Sequence, residues 1–381
     1  MKYKDLSLTW AGDLTSISGP AQFARSLLRP LIEGGALIKL EPINSGLPQI
    51  EADPFWSPTI ERLVKVQPGF IKVNHCPYGA ITMNVLGGPN IWLAHWDTDV
   101  IPVGIASGTY KPSEIWHTFV VKEPSINIPT NHIVVPIDKV ITNEVANLVE
   151  INSSTTVFGY TGFWDQRSNM QDLIVAFVNE FSSNDNVALV IKCTIPDGDP
   201  NKKAQVLNLV RSIKATVNKP NQPSIIVLQD NFSQATMDAI INRFNIYVSA
   251  ARGWSTNITL GKCLAAGKIA VVPATKAAIA LHKQIAYRDS RALRLVPVFK
   301  ERVTGTPGGN PQDIWTRVDQ FTLGEEMRLA HVNTIMPCKE VKDDIKDLQA
   351  NIQRKMTPEI VADEFAKRIT TMMPYYPVTL A

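Results

Sequence analysis

The chain has 381 residues, of which 45% are apolar and 19% charged. That length accommodates two domains of about 150–200 residues, and the apolar share excludes a globally disordered chain. With 38 basic against 35 acidic residues the formal net charge is only +3, which permits an anionic substrate without requiring a nucleic-acid partner.

The elements alternate from the start. Ser7 to Trp10 reads as a strand, and Ala11 to Pro20 as a loop rich in small residues. Ala21 to Glu33 reads as a helix with Phe23, Leu27, Leu28 and Leu31 on one face, stopped by Gly34-Gly35. Ala36 to Leu40, Phe70 to Val73, Asn90 to Ala94, Ile115 to Val120 and His132 to Val135 follow as strands. Strand–helix–strand units of this kind build parallel sheets. A second series opens near Thr155: strand Thr156 to Tyr160, helix Met170 to Phe181, strand Val187 to Lys192, helix Ala204 to Ala215 and strand Ser224 to Leu228. It continues with helix Ser233 to Asn242, strand Ile246 to Ser249, helix Ile258 to Ala266 and strand Ala270 to Val272. The tail carries two helical stretches, the second capped by Thr357 with Pro358 at its first position. The pattern predicts an α/β protein with domains over 1–150 and 155–345, and C-terminal helices over 346–381 that return to the first domain. Both a monomer and a homodimer are compatible with it.

Some classes of chemistry are disfavoured. The four cysteines, Cys76, Cys193, Cys263 and Cys338, form no CxxC pair and read as reduced, buried thiols. Met1 to Trp10 is not followed by the apolar core of a signal peptide, and no apolar run reaches the ~18 residues of a spanning helix. These features predict a cytoplasmic protein, in the host cytoplasm if the gene is viral. The loop Thr304 to Pro311 (TGTPGGNP) has no feeding strand and reads as a turn.

Four segments can carry chemistry. Gly12 to Gly19 joins the first strand to the first helix, and its small residues let backbone N–H groups approach an anion, although neither GxGxxG nor a P-loop is present. His95-Trp96-Asp97-Thr98-Asp99 follows a strand, where carboxylates and an indole suit sugar hydroxyls and a pyranose face; His75 would share that rim. Gly162 to Asn169 places Arg167 after the first strand of the second domain, where a guanidinium can clamp a diphosphate, with Lys192 ending the adjacent strand. Ser249 to Gly267 runs from a strand through Arg252, Gly253 and Trp254 into a helix opening near Asn257, and Ser255, Thr256 and Thr259 make its N-terminus a candidate phosphate seat.

In this order the segments resemble the nucleotide-sugar glycosyltransferases of two-Rossmann-domain (GT-B) architecture, in particular the retaining group-1 family. Val157 to Phe177 (VFGYTGFWDQRSNMQDLIVAF) resembles the opening of that family's donor domain, and Val187 to Lys192 (VALVIK) its next strand. Tyr247 to Val272 resembles its donor signature, Gly12 to Phe23 its glycine loop, Ile91 to Pro102 a W–x–x–D–x–[IL]–P stretch, and His132 to Ile137 (HIVVPI) the close of the acceptor domain. The likeness spans residues 7 to 275.

It implies two Rossmann-like domains facing across a cleft, with no prosthetic group and no metal. The donor would be a nucleotide-sugar, UDP- or GDP-linked, held by Gly19, Arg167, Lys192, Arg252, Gly253, Trp254, Ser255, Thr256 and Asn257. The acceptor side leaves a sugar, a metabolite or a modified DNA base open, with Asp99 or His75 to take its proton and Arg167 to stabilise the leaving group. Asp97-Thr98-Asp99 spells a DxD, read here as an acceptor-side feature. The sequence departs from the family where two glutamates are expected. The first falls at or beside Arg252 and the second on Lys262 or Gly261, and these cations would add positive charge beside a diphosphate. A phosphorylase or epimerase on the same architecture, or a non-catalytic sugar-nucleotide-binding protein, are the rival readings.

Overall fold

A computed structural model describes residues 2–50, 53–76, 81, 86–94, 112–118, 128–140, 151–195, 200–253, 257–286, 288–302 and 314–372. Their contacts divide the chain into two compact units, the first reaching Asp138 and taking in residues from Arg354 onward, the second running from Lys139 to Gln353.

The first unit is built on β1 (Ser7–Gly12), β2 (Leu37–Pro42), β3 (Ile71–His75), β4 (Asn90–Ala94), β5 (Glu114–His117) and β6 (Thr130–His132). All pair in parallel, in the order β2-β1-β3-β4-β5-β6. The first two helices are α1 (Gly19–Glu33) and α2 (Trp56–Leu63). Ser18 caps α1 by accepting the Ala21 N–H, and Pro20 costs the first turn nothing because its missing donor would have no helical partner. Phe23, Leu27, Leu28 and Leu31 are fully buried, so the face read from the periodicity is the packed one. The β6 region corrects the expectation of a strand over His132 to Val135. The strand stops at His132; the Ile133 N–H makes one last bond to the His117 carbonyl at 2.9 Å, and Ile137 is buried beyond it.

The second unit holds β7 (Thr156–Phe163), β8 (Val187–Thr194), β9 (Ser224–Leu228), β10 (Ile246–Val248), β11 (Ile269–Pro273) and β12 (Leu293–Val296), again all parallel, in the order β12-β11-β10-β7-β8-β9. Around it lie α3 (Met170–Glu180), α4 (Pro200–Val217), α5 (Gln234–Arg243), α6 (Ile258–Ala265), α7 (Lys276–Ile285), α8 (Gln320–Ile335) and α9 (Lys339–Lys355). An antiparallel hairpin, β13 (Val298–Arg302) and β14 (Ile314–Val318), stands outside both large sheets. Strands buried on both faces read as continuous apolar runs rather than alternations, and β8 and β11 do so. Gln349 of α9 donates to the Ala265 carbonyl at 3.0 Å and Asn351 to that of Ile285 at 2.8 Å, which fixes α9 within this unit. The final helix, α10 (Pro358–Met372), belongs to the first unit and packs on α1, with Phe365 against Trp10 and Trp116.

His117 supplies a pH test of the first unit. It is buried at the end of β5, and burial, reinforced by His132, pushes its imidazole down from 6.5 to about 4. Its stabilising effect is therefore complete above pH 6.5 and is lost as pH falls toward 4, because the unfolded chain takes the proton first. The loss should be roughly 2–4 kcal/mol over that window. Thermal unfolding followed from pH 7 to 4 should show a shallower decline in His117→Gln than in the unaltered protein; identical slopes would exclude His117 as the cause.

Candidate functional site

In an open parallel sheet, ligands bind beyond the carboxyl ends of the strands where the order reverses. In the second unit the chain runs outward from β7 through β8 to β9 and then returns to the other side of β7 with β10. The reversal lies between β7 and β10. Two of the chemistry-bearing loops expected from the sequence leave those two strands, and Lys192 lies on β8 beside them.

The loop after β7 turns back on itself through Asp165, whose carboxylate accepts the Ser168 N–H at 2.7 Å and pairs with Arg167 at 3.3 Å. Asn169 then adopts the left-handed conformation, φ 52°, and starts α3 without a side-chain cap. Its amide donates to the Asp172 carboxylate at 2.8 Å and to the Ala250 carbonyl at 3.3 Å, joining this loop to the one after β10. The Arg252 N–H adds a second join by donating to the Arg167 carbonyl at 2.8 Å. Thr161 and Thr259 share a hydroxyl–hydroxyl bond of 2.9 Å between the end of β7 and the first turn of α6.

Lys192 is the exceptional residue of β8. It is 5% exposed in an otherwise apolar strand, and its Nζ donates to the Thr194 hydroxyl at 2.8 Å. No carboxylate pairs with it among the described residues. Burial lowers its pKa, and the nearby Asp230 and Cys193 oppose that shift without cancelling it.

The other expected residues divide. Arg252 is already engaged: its guanidinium lies 3.1 Å from Glu301 and 4.9 Å from the centre of the Trp315 ring. Asn257 caps α6, its carbonyl oxygen accepting the Leu260 N–H at 2.9 Å. Gly253 lies just before residues 254–256, so Trp254, Ser255 and Thr256 fall outside the described residues. Lys262 is a correction. It was expected beside a diphosphate, but it is buried on α6 with its Nζ 3.2 Å from Asp238, and its charge is spent inside the packing of α5 and α6.

In the first unit the reversal lies between β1 and β3, and the loop leaving β1 is held from within. The Asp13 carboxylate accepts the Thr15 and Ser16 N–H groups, and Arg25 donates to the Leu14 and Ser16 carbonyls, each at 2.8 Å. Gly19 opens α1 at the end of this loop. His75 was expected on an open rim. It is instead 4% exposed, with its ring 5.2 Å from Trp10 and 5.4 Å from Phe23, because β3 runs two residues beyond Val73 and carries it into the core. Asp99, the rest of 95–99 and the 304–311 loop lie outside the described residues.

Sequence reasoning missed Thr194, Asp172, Glu301, Trp315 and Arg317, all close to these loops. Only Thr194, two residues from Lys192 on the same face of a strand, had a local signal. Among the described residues no group of three or more His, Cys, Asp or Glu can hold a metal ion, and no helix is long and apolar enough to cross a membrane.

No family model matches the sequence, and neither does any curated protein sequence. Solved structures do match over nearly the whole chain. HepE from Anabaena, in complex with UDP-glucose, is 11% identical, with a TM-score of 0.64 over 96% of this chain and 100% of that one. Sucrose-phosphate synthase from Thermosynechococcus elongatus is 11% identical, with a TM-score of 0.63 over 97% and 100%. A UDP-forming α,α-trehalose-phosphate synthase from Burkholderia xenovorans is 12% identical, with a TM-score of 0.60 over 96% and 99%. The chain therefore has the two-Rossmann-domain GT-B fold that these proteins share.

Proposed function

We propose that the protein is a glycosyltransferase that moves a hexose or pentose from a nucleotide-sugar to a hydroxyl acceptor. The observation that carries this reading is Lys192, a buried cation without a carboxylate partner among the described residues, two residues before the end of β8 and next to β7, whose loop borders the reversal. A buried lysine in that state loses hydration on folding and regains it as interaction energy when an anion arrives. The fold shared with a UDP-glucose complex supports a nucleotide diphosphate as that anion.

The chemistry asked of the protein is modest. A sugar–phosphate bond breaks when the departing diphosphate oxygen is stabilised, and Lys192, Arg167 and the N-terminal turn of α6 behind Asn257 are the groups for that work. Arg252 and Gly253 border the same loop, and we include Trp254, Ser255 and Thr256 in the donor site from their place in the sequence. Gly19 is included in the donor site from its place in the sequence. The acceptor hydroxyl would lose its proton to Asp99, since His75 is packed in the core between Trp10 and Phe23. Retention of anomeric configuration is part of the proposal through the family resemblance, as is the absence of a metal requirement.

Arg167 is half-exposed and tied to Asp165, so its contribution should be smaller than that of Lys192. We expect Arg167→Ala to weaken nucleotide-sugar binding by about three- to tenfold, measured by calorimetry. Unchanged affinity would remove Arg167 from the donor site. The acceptor is the open half: a glycan or lipid sugar, a small metabolite, or a modified base in phage-type DNA. Mass spectrometry of reactions supplied with UDP- or GDP-sugars and with simple glycosides, ordinary DNA or hydroxymethylated DNA names donor and acceptor together. A hexose or pentose mass increment on any one acceptor supports the reading. Tight sugar-nucleotide binding with no increment and no hydrolysis would favour a non-catalytic binding protein, the reading that the cations at the expected glutamate positions motivate.

A further inference from the structure

The hairpin β13–β14 belongs to neither large sheet, and a two-stranded ribbon has little stability of its own. Its polar side chains nevertheless converge on the two loops that flank the β7/β10 reversal. Thr316, fully buried on β14, donates to the Arg252 carbonyl twice, from its N–H at 2.8 Å and from its hydroxyl at 2.7 Å. Next along the strand, Arg317 forks onto the Asp172 carboxylate, with Nε at 2.9 Å and Nη2 at 3.3 Å. Asp172 also accepts from Gln320 of α8 at 2.7 Å and from Asn169 at 2.8 Å. On β13, Glu301 lies 3.1 Å from Arg252 and 3.8 Å from Arg317.

These contacts form one closed circuit. Arg317 orients Asp172, Asp172 holds Asn169 in its left-handed conformation, and Asn169 grips Ala250. Arg252, two residues after Ala250, is bonded back to Arg167 on one side and to Thr316 on the other. A ribbon serving only to cover the core would need apolar contacts, such as those of Trp315 and Val318, and would have no use for this row of directional bonds.

We propose that the β13–β14 hairpin is a positioning element for the nucleotide-diphosphate loops, with Arg317 and Thr316 as its positioning residues. The proposal rests on the donor site described above. Neither residue touches the donor; each acts through the shape of the loops carrying Arg167 and Arg252.

The test measures binding of UDP and of GDP to the full chain by calorimetry, alongside thermal unfolding, for the unaltered protein, Arg317→Leu, Arg317→Lys and Thr316→Val. Coupling of this kind is expected to be worth about tenfold in affinity. Arg317→Leu should weaken the nucleotide by about that factor, and Arg317→Lys, which keeps the charge but only one donor to Asp172 and loses the fork, should recover part of it. Thr316→Val, which keeps the backbone bond and the side-chain volume, should weaken binding while the protein stays folded, and it carries the test if Arg317→Leu does not fold. Nucleotide affinity unchanged in the folded variants would overturn the positioning role and leave the donor site standing. No binding of UDP or GDP by the unaltered protein would overturn the donor site and this proposal with it.

Discussion

Replacing Lys192 by methionine should weaken nucleotide-sugar binding by about 10- to 100-fold while leaving the protein as stable as before, or more so. The two halves of this expectation come from the same fact. Lys192 is buried, its one described side-chain bond is to Thr194, and burial lowers its pKa, so its charge is unfavourable in the empty protein. A methionine of similar length removes that penalty and fills the space left by the lysine stem. A charge-assisted bond to phosphate is worth about 1.5–3 kcal/mol, which gives the stated factor in affinity. Calorimetry with the donor and a thermal unfolding curve measure both halves. A structural lysine behaves oppositely: Lys192→Met would then lower the unfolding temperature and leave the ligand unaffected.

Gly159→Ala should destabilise the second unit by about 2–3 kcal/mol, a fall of roughly 5–10 °C in unfolding temperature. Gly159 sits in the middle of β7, and a Cβ there would come 2.2 Å from two atoms of the Phe244 ring and 2.3 Å from a third. The ring is fully buried, and β7 is held between β8 and β10, so neither partner has room to withdraw. Phe244→Leu in the same chain should return part of the lost stability by removing the rigid ring. An unfolding temperature within 1–2 °C of the unaltered protein, roughly the effect of a neutral surface change, would show that the strand and the ring do not meet as described.

Both predictions depend on features that differ in how far the sequence announced them. The alternation of apolar strands and amphipathic helices was legible because each signal is local: the Phe23/Leu27/Leu31 face, the Thr357-Pro358 start of α10, the apolar run ending in Lys192. Strand ends were less so. Val73 looked terminal because His75 is polar, yet β3 continues through His75 and packs its ring between Trp10 and Phe23. Conversely, the apolar segment after His132 looked like strand, but its ladder ends with the Ile133 N–H on the His117 carbonyl. Lys262 shows the same limit on a helix. Only the position of Asp238, on a different helix, decides that its charge is internal.

The hairpin was not legible at all. Val298–Arg302 and Ile314–Val318 are separated by eleven residues rather than joined by a tight turn, so no short hairpin signal connects them. Their functional content lies in pairs distant in the chain, Arg317 with Asp172 and Arg252 with Glu301. Charge pairs of this separation leave no periodicity, and the topology alone brings them together. The family resemblance reached the loops that the hairpin braces, since those loops lie in contiguous motifs, and stopped short of the brace.

Nucleotide release tests the proposed sugar transfer most directly. The purified protein is incubated with UDP-, GDP- and ADP-sugars in turn, and free nucleoside diphosphate is quantified alongside the thermal shift produced by each donor. Release is expected from at least one donor, with a stabilising shift for that same donor, and loss of both in Lys192→Met. No release and no thermal shift with any of the donors would contradict the proposed transfer.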